Sequence, residues 1–240
     1  MIVEGRNAIL ELIKTDKTID KVMVDKDGKD SSRQRILANL REKGVKIQYV
    51  SKAVLEKESI TKHPQGYLAF VSEFKYCEVE DILKEKETRQ EPHFIVILDR
   101  IEDPHNLGAC IRVCDGAGVH GMIIPKNRAC SVNETVVRVS CGASEHMKIA
   151  RVTNLNSTIE ELKKNNVFVY ALDMDGASIY NTDMKGDVAL VVGNEGSGIA
   201  QLTKKLCDAV VSLPMKGKVN SLNASVALSA AIYECVRQRD

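Results

Sequence analysis

Val188-Ala189-Leu190-Val191-Val192 runs without interruption into Gly193-Asn194-Glu195-Gly196-Ser197-Gly198. A segment apolar at every position has both faces buried, which suits a strand of a parallel sheet covered by helices on both sides. The turn that follows can bring bare backbone close to a ligand, because glycine has no Cβ and tolerates positive φ. Further runs of the same kind follow Pro92, at Phe94–Leu98, Gly121–Ile124, Val167–Leu172 and Ala209–Leu213. Helical patterns fit between them at 106–117, 133–140, 157–164 and 199–206, and a last helix covers about 222–237. This alternation predicts a doubly wound α/β domain with ligands at the carboxyl ends of its strands.

Residues 5–73 read as shorter alternating units. Helices are expected near 7–13, over 32–43 and after Ser51, and strands at 21–24, 46–50 and 67–71, with Ser32 and Ser51 as helix caps. The loop Thr61-Lys62-His63-Pro64-Gln65-Gly66 could contact RNA through Lys62, His63 and Gln65, or be a solvated turn. Charge at most positions of Glu78–Arg89, with a narrow stripe of Val79, Ile82 and Leu83, predicts a surface helix leading into a linker that ends at Pro92. The expected organisation is a small α/β domain over 1–74, a helix and linker over 75–91, and a larger domain over 92–240.

Composition excludes several classes. At 44% hydrophobic and 28% charged residues in 240, this is an ordinary folding chain rather than a disordered one. No apolar run approaches the roughly 20 residues that span a bilayer, and Met1–Arg6 has no leader pattern, so a cytoplasmic protein without a membrane partner is expected. The seven cysteines are scattered, without a Cys-x-x-Cys pair; Cys110 and Cys114 are four apart but lack a second pair at zinc spacing. Reduced core thiols and no metal are expected. Net charge is +1, and the halves differ little: 18 basic against 16 acidic residues in 1–90, 16 against 17 in 91–240. Nucleic-acid binding would need local patches such as Lys216 with Lys218 or Lys126 with Arg128.

Three stretches can carry chemistry. In Leu98–Arg112 a strand ends, Asp103-Pro104 turns the chain, and Asn106 stands where it can cap a helix that carries Arg112. Alone, this pattern favours a plain cap at Asn106 and a surface ion pair at Arg112. The second, Gly193–Gly198, is Gly-x-x-Gly-x-Gly, and so matches neither the dinucleotide fingerprint nor the phosphate loop. Glu195 within it would repel phosphate, but could orient a neutral or cationic ligand or hold the arginine. In the third, Leu213-Pro214-Met215-Lys216-Gly217-Lys218-Val219-Asn220-Ser221-Leu222-Asn223, the side chains of Ser221 and Asn223 either cap the last helix or point into a cleft.

In this order, the three stretches resemble the SpoU/TrmH family of RNA ribose 2′-O-methyltransferases. The family's motifs Asp-Pro-x-Asn-x-Gly-x-x-x-Arg, Gly-x-Glu-x-x-Gly and Leu-Pro-Met-x-Gly-x-x-x-Ser-Leu-Asn-x-Ser fall on 103–112, 193–198 and 213–225. The resemblance covers about 92–240 strongly. More loosely, the amino-terminal unit is similar to the ribosomal-protein-like RNA-binding domain of the bacterial 23S rRNA guanosine 2′-O-methyltransferase branch. It implies a parallel-sheet catalytic domain of the SPOUT type with a carboxyl-terminal trefoil knot, a homodimer, and S-adenosyl-L-methionine as methyl donor. It also implies rRNA, or alternatively tRNA, rather than DNA as partner. By resemblance, the cofactor positions fall on Leu172, Gly193, Gly198, Leu213, Met215 and Leu222, and the catalytic positions on Asn106, Arg112, Glu195, Ser221 and Asn223.

A 2′-hydroxyl acceptor must be aligned with the donor and lose a proton. A guanidinium stays protonated at physiological pH and is a poor base, so Arg112 is better suited to clamping a phosphate, with Glu195 holding it in place. His105 has a suitable intrinsic pKa but matches no functional position of the family. A non-catalytic RNA-binding assembly protein is the competing class, and intact Arg112, Glu195 and Asn223 argue against it. A dinucleotide-dependent dehydrogenase fails on glycine spacing, whereas tRNA and antibiotic-resistance rRNA methyltransferases are rivals within the class.

Overall fold

The computed structural model describes residues 2–15, 17–29, 31–72, 74–218 and 221–240. It separates into two compact units, 1–75 and 76–240. In the first, the order is β1 (Ile2–Glu4), α1 (Arg6–Ile13), β2 (Thr18–Asp25), α2 (Arg33–Glu42), β3 (Lys46–Val50), α3 (Lys52–Glu58) and β4 (Tyr67–Ser72). The strands form a mixed sheet ordered β1-β4-β2-β3, in which β3 runs parallel to β2 and β4 antiparallel to both of its neighbours. Ile9, Leu12 and Ile13 of α1 and Ile36, Leu37 and Leu40 of α2 bury one face of this sheet, and Leu55 of α3 packs on Met23 and Leu68. Strand β1 was not foreseen, being three residues long. Ser32 and Ser51 do occupy the N-cap positions of α2 and α3, but neither side chain makes the cap hydrogen bond expected of it.

The second unit contains α4 (Val79–Leu83), α5 (Glu85–Arg89), β5 (Phe94–Asp99), α6 (Pro104–Gly116), β6 (Gly121–Pro125), α7 (Glu134–Val139), β7 (Ile149–Val152) and α8 (Leu155–Lys164). It continues with β8 (Phe168–Ser178), β9 (Val188–Gly193), α9 (Gln201–Leu206), β10 (Ala209–Ser212) and α10 (Ala224–Arg239). All six strands are parallel, in the order β10-β8-β9-β5-β6-β7. The apolar runs are buried on both faces, as at Ile95, Ile97, Ala189 and Val191. Chain order reverses between β5 and β9, so the carboxyl ends of these adjacent strands, Asp99 beside Gly193, form the switch point at which open α/β sheets bind ligands.

Residues 76–91 pack into this second unit. Val79 and Ile82 belong to its core, and Ile82 lies so close to Gly121 that a Cβ there would fall 2.6 Å from it. The expected single surface helix is two short helices, and its apolar stripe is too well buried for a linker. Edge strand β7, four residues long, gave too little periodic pattern to be read. Among the described residues, no helix is long and apolar enough to cross a membrane.

At the amino-terminal ends of the strands, opposite the switch point, His93 and His120 are 5% and 1% exposed, and burial holds both imidazoles below their ordinary pKa. The nearby carboxylates, Asp187 for His93 and Glu91 for His120, only partly oppose this. His120 Nδ1 accepts from the Phe94 amide at 3.2 Å, a bond that protonation at that atom abolishes. A base whose pKa is depressed on folding binds protons more readily when unfolded, so its stabilisation is complete above about pH 6.5 and is lost as pH falls below it. The melting temperature is therefore expected to fall between pH 7.5 and 5.5, less steeply in His120→Asn, whose amide oxygen accepts the same bond without titrating. Parallel pH profiles for the two proteins would refute this assignment.

Candidate functional site

The three motif stretches meet at the switch point. Asp103 caps α6 by accepting from the His105 amide, with Pro104 in the first turn, where its missing N–H costs nothing. Asn106, expected as the cap, is therefore one turn inside the helix and 8% exposed. Its side chain is free to bridge. Asn106 Nδ2 donates to Glu195 Oε1 at 3.0 Å, and its Oδ1 accepts from Asn223 Nδ2 at 2.9 Å. Asn223 Oδ1 accepts from the Ser225 amide at 3.0 Å and from the Ser225 hydroxyl at 2.7 Å, capping α10.

This chain of bonds has a direction. The helix cap needs an oxygen at Asn223, which turns its NH₂ to Asn106; Asn106 then presents its own NH₂ to a carboxylate that can only accept. Aspartate at 106 or 223 has the right shape but lacks the donor.

The Gly193–Gly198 turn is closed by its own polar groups. Asn194 Oδ1 accepts from the amides of Gly196 (2.8 Å) and Ser197 (3.3 Å), and the Gly198 amide donates to Asn194 O at 2.7 Å. At the end of β5, buried Asp99 accepts from the Ala200 amide at 2.6 Å, and Arg100, just past the strand, donates through Nη2 to Gly198 O at 3.0 Å. Asp99, Arg100 and Asn194 are positioning residues that the sequence reading missed. A carboxylate ending the all-apolar run 94–98 and an asparagine beside a glycine, a turn former in its own right, were the available signals.

These loops enclose a pocket of about 310 Å³, lined by apolar Leu172, Val192, Ile199 and Leu213 and by polar Asp173 and Ser221, among others. Of the expected cofactor positions, Leu172, Gly193, Gly198, Leu213, Met215 and Leu222 all line it; of the expected catalytic positions, Glu195 and Ser221 do, and Asn106 and Asn223 join it through the bridge. Val219 and Asn220 of the third motif lie outside the described residues.

Arg112 is the exception. The expected contact with Glu195 is not formed: among the described residues Glu195 has no ion pair, and Arg112 Nη1 lies 3.4 Å from Cys141 Sγ. Six residues along a helix place Arg112 about 9 Å beyond Asn106 and on a different face. That face meets α7, which approaches closely because residue 108 is glycine; a Cβ there would be 2.7 Å from Val139 Cβ. His105 is exposed. Cys110, buried in α6, has its thiol pushed up to about 12 by burial and by Glu195, and is inert.

Residues 2–77 match the model for RNA 2′-O ribose methyltransferase substrate binding, and residues 93–233 match that of the SpoU rRNA methylase family. Together they define the class of RNA 2′-O-ribose methyltransferases. Within it, the chain belongs to the SpoU rRNA methylase family. YacO of Bacillus subtilis, named as a TrmH family tRNA/rRNA methyltransferase, is 40% identical over 237 residues, covering 98% of this chain and 95% of that protein. The solved structure of the SpoU methyltransferase AviRb from Streptomyces viridochromogenes, in complex with AdoMet, is similar with TM-score 0.63 and 25% identity, over 100% of this chain and 90% of that one. A structure described as concerning 2-OH methylation of C/U34 on tRNA has TM-score 0.56 and 25% identity, over 61% of this chain and 97% of that one.

Gly193 tests the closure of the pocket. A Cβ there would lie 2.2 Å from Gly198 C and 2.3 Å from the Ile199 amide nitrogen, both backbone atoms without a rotamer to escape through, whereas Gly217 has nothing within 4 Å. Gly193→Ala is expected to lower stability by about 1–3 kcal/mol, as overpacking does, with Gly217→Ala near wild type. Equal denaturant midpoints for the two variants would contradict the geometry.

Proposed function

We propose that this chain is an S-adenosyl-L-methionine-dependent RNA ribose 2′-O-methyltransferase of the cytoplasm, acting on a guanosine of 23S rRNA. The observation that carries the reading is the Glu195–Asn106–Asn223 chain at the edge of the pocket, because it joins all three motif stretches into one site. The lining suits the donor: aliphatic side chains can hold an adenine, and the carboxylate of Glu195 favours a cation, that of Asp173 being already paired with Lys204 at 2.9 Å. A relative of the same fold has been solved with this cofactor. When bound, S-adenosylmethionine supplies an electrophilic methyl group.

The chain's own residues do the rest. Leu172, Gly193, Gly198, Leu213, Met215 and Leu222 bind and shield the donor from water. Ser221 and Asn223 shape the face towards the acceptor, and Asn106 fixes Glu195 beside it. Arg112, exposed on α6 outside the pocket lining, clamps a phosphate of the bound RNA. Alignment of this kind can supply roughly 7–11 kcal/mol of a barrier. The same reading includes the trefoil knot at the carboxyl end and a homodimer, for which α10 offers an uncovered apolar stripe at Val226 and Tyr233, 52% and 53% exposed.

The 23S rRNA assignment rests on the amino-terminal substrate-binding unit, while the relatives named for tRNA make tRNA the second reading. Mapping ribose methylation in total RNA with and without the gene separates them: loss of one 23S guanosine methylation supports the first, loss of a tRNA methylation the second, and no change rejects both. Arg112→Lys is expected to lose most methyl transfer, by ten-fold or more, with donor binding by calorimetry unchanged, because lysine is charged but cannot make the bidentate phosphate contact. Near-normal turnover would remove Arg112 from the mechanism.

A further inference from the structure

The near-zero net charge of the chain conceals a concentrated basic segment. Between residues 33 and 52 stand six cations, Arg33, Arg35, Arg41, Lys43, Lys46 and Lys52, against one carboxylate, Glu42. The segment folds as α2 and β3, and β3 is an edge strand hydrogen-bonded only to β2. Lys52 is paired with Glu56 at 3.8 Å. Among the described residues, the other five cations form no ion pair.

In their midst lies Tyr49, 49% exposed. The other aromatic residues of this sheet are covered: Tyr67 is 1% exposed, and Lys21 lies 4.2 Å over the ring of Phe70. The Arg41 guanidinium donates to the Tyr49 hydroxyl at 3.4 Å, and the Arg33 guanidinium sits 6.0 Å from the ring centroid, at the outer limit of a cation–π contact. An accessible ring flanked by unneutralised guanidinium groups is the arrangement that single-stranded nucleic acid uses, with bases stacking on the ring and phosphates resting on the cations.

We infer that Tyr49, with Arg33 and Arg41, forms a stacking platform on the amino-terminal unit for an unpaired nucleotide of the RNA substrate. The inference rests on the RNA methyltransferase reading and adds to it where, and in what form, the substrate is held. A second copy of this chain, pairing through the open edge of β3, is the rival occupant. Charge disfavours it, since pairing would set two such basic segments side by side.

The test uses the full-length protein, a short fluorescein-labelled single-stranded RNA, and anisotropy titrations over a range of salt. Tyr49→Ala is expected to weaken binding roughly 5- to 100-fold, the loss measured for removal of one stacking ring, and Tyr49→Phe to stay within about two-fold. Arg33→Gln/Arg41→Gln should reduce the slope of log affinity against log salt by about 1.4, or about 0.7 for each lost phosphate contact. Donor binding by calorimetry should be unchanged in all three variants. If wild type binds RNA and these variants bind it equally with the same slope, the platform is refuted while the methyltransferase reading stands. A wild type that binds no RNA refutes both. If Tyr49→Ala alters the mass by light scattering with RNA affinity intact, the edge belongs to a protein interface and the platform is refuted.

Discussion

The amide of Asn106 is the point through which the larger unit becomes a site. It touches Glu195 from the turn after β9 and Asn223 from the segment before α10, two loops about thirty residues apart in sequence. The first is closed by Asn194 and clamped by Asp99 and Arg100, but both are rich in residues with wide conformational freedom. Two hydrogen bonds to a buried side chain on a helix tie the two loops to each other. A bond to a charged group contributes about 1.5–3 kcal/mol, so loss of the bridge is worth about ten-fold or more in a ligand's affinity.

The sheet prepares this arrangement. Because β5 and β9 are adjacent and parallel, Asp99 and Gly193 end side by side, and β5 can clamp the exit of the glycine turn through Asp99 and Arg100. Strands supply rigidity, loops supply backbone groups, and α6 supplies the connecting amide. The pocket forms where these meet, which is why most of its lining lies at strand ends or in turns. Arg112, held at Cys141 rather than at the pocket, is the one proposed functional group oriented by the α6–α7 contact instead.

The parallel sheet was legible in the sequence because burial on both faces leaves an unmistakable mark: runs such as 94–98 and 188–192 tolerate no polar residue. Short edge strands left no such mark, so β1 and β7 went unread. Local chemistry misled in two places. Asn106 looks like a cap because Asp-Pro-x-Asn offers two candidates, and Asp103 wins by standing directly before the proline. The charged stretch 78–89 looks like a surface element, yet the two residues that matter, Val79 and Ile82, are in the core. Pairings across long sequence separations, Glu195 with Asn106 rather than with Arg112, depend on helix phase and on which loop arrives where. Spacing alone does not encode them. The basic segment around Tyr49 is hidden for another reason, since charge summed over 1–90 averages it away against acidic stretches elsewhere.

The central claim is that the Asn106 bridge builds the donor pocket. Calorimetric titration of S-adenosylmethionine into wild type and into Asn106→Leu, a change that keeps the branched heavy-atom skeleton and removes both bonds, tests it directly. The account predicts a wild-type complex and at least a ten-fold weaker one in the variant, with cooperative unfolding retained in both. Equal affinity in the two proteins, or no binding by wild type, would contradict it.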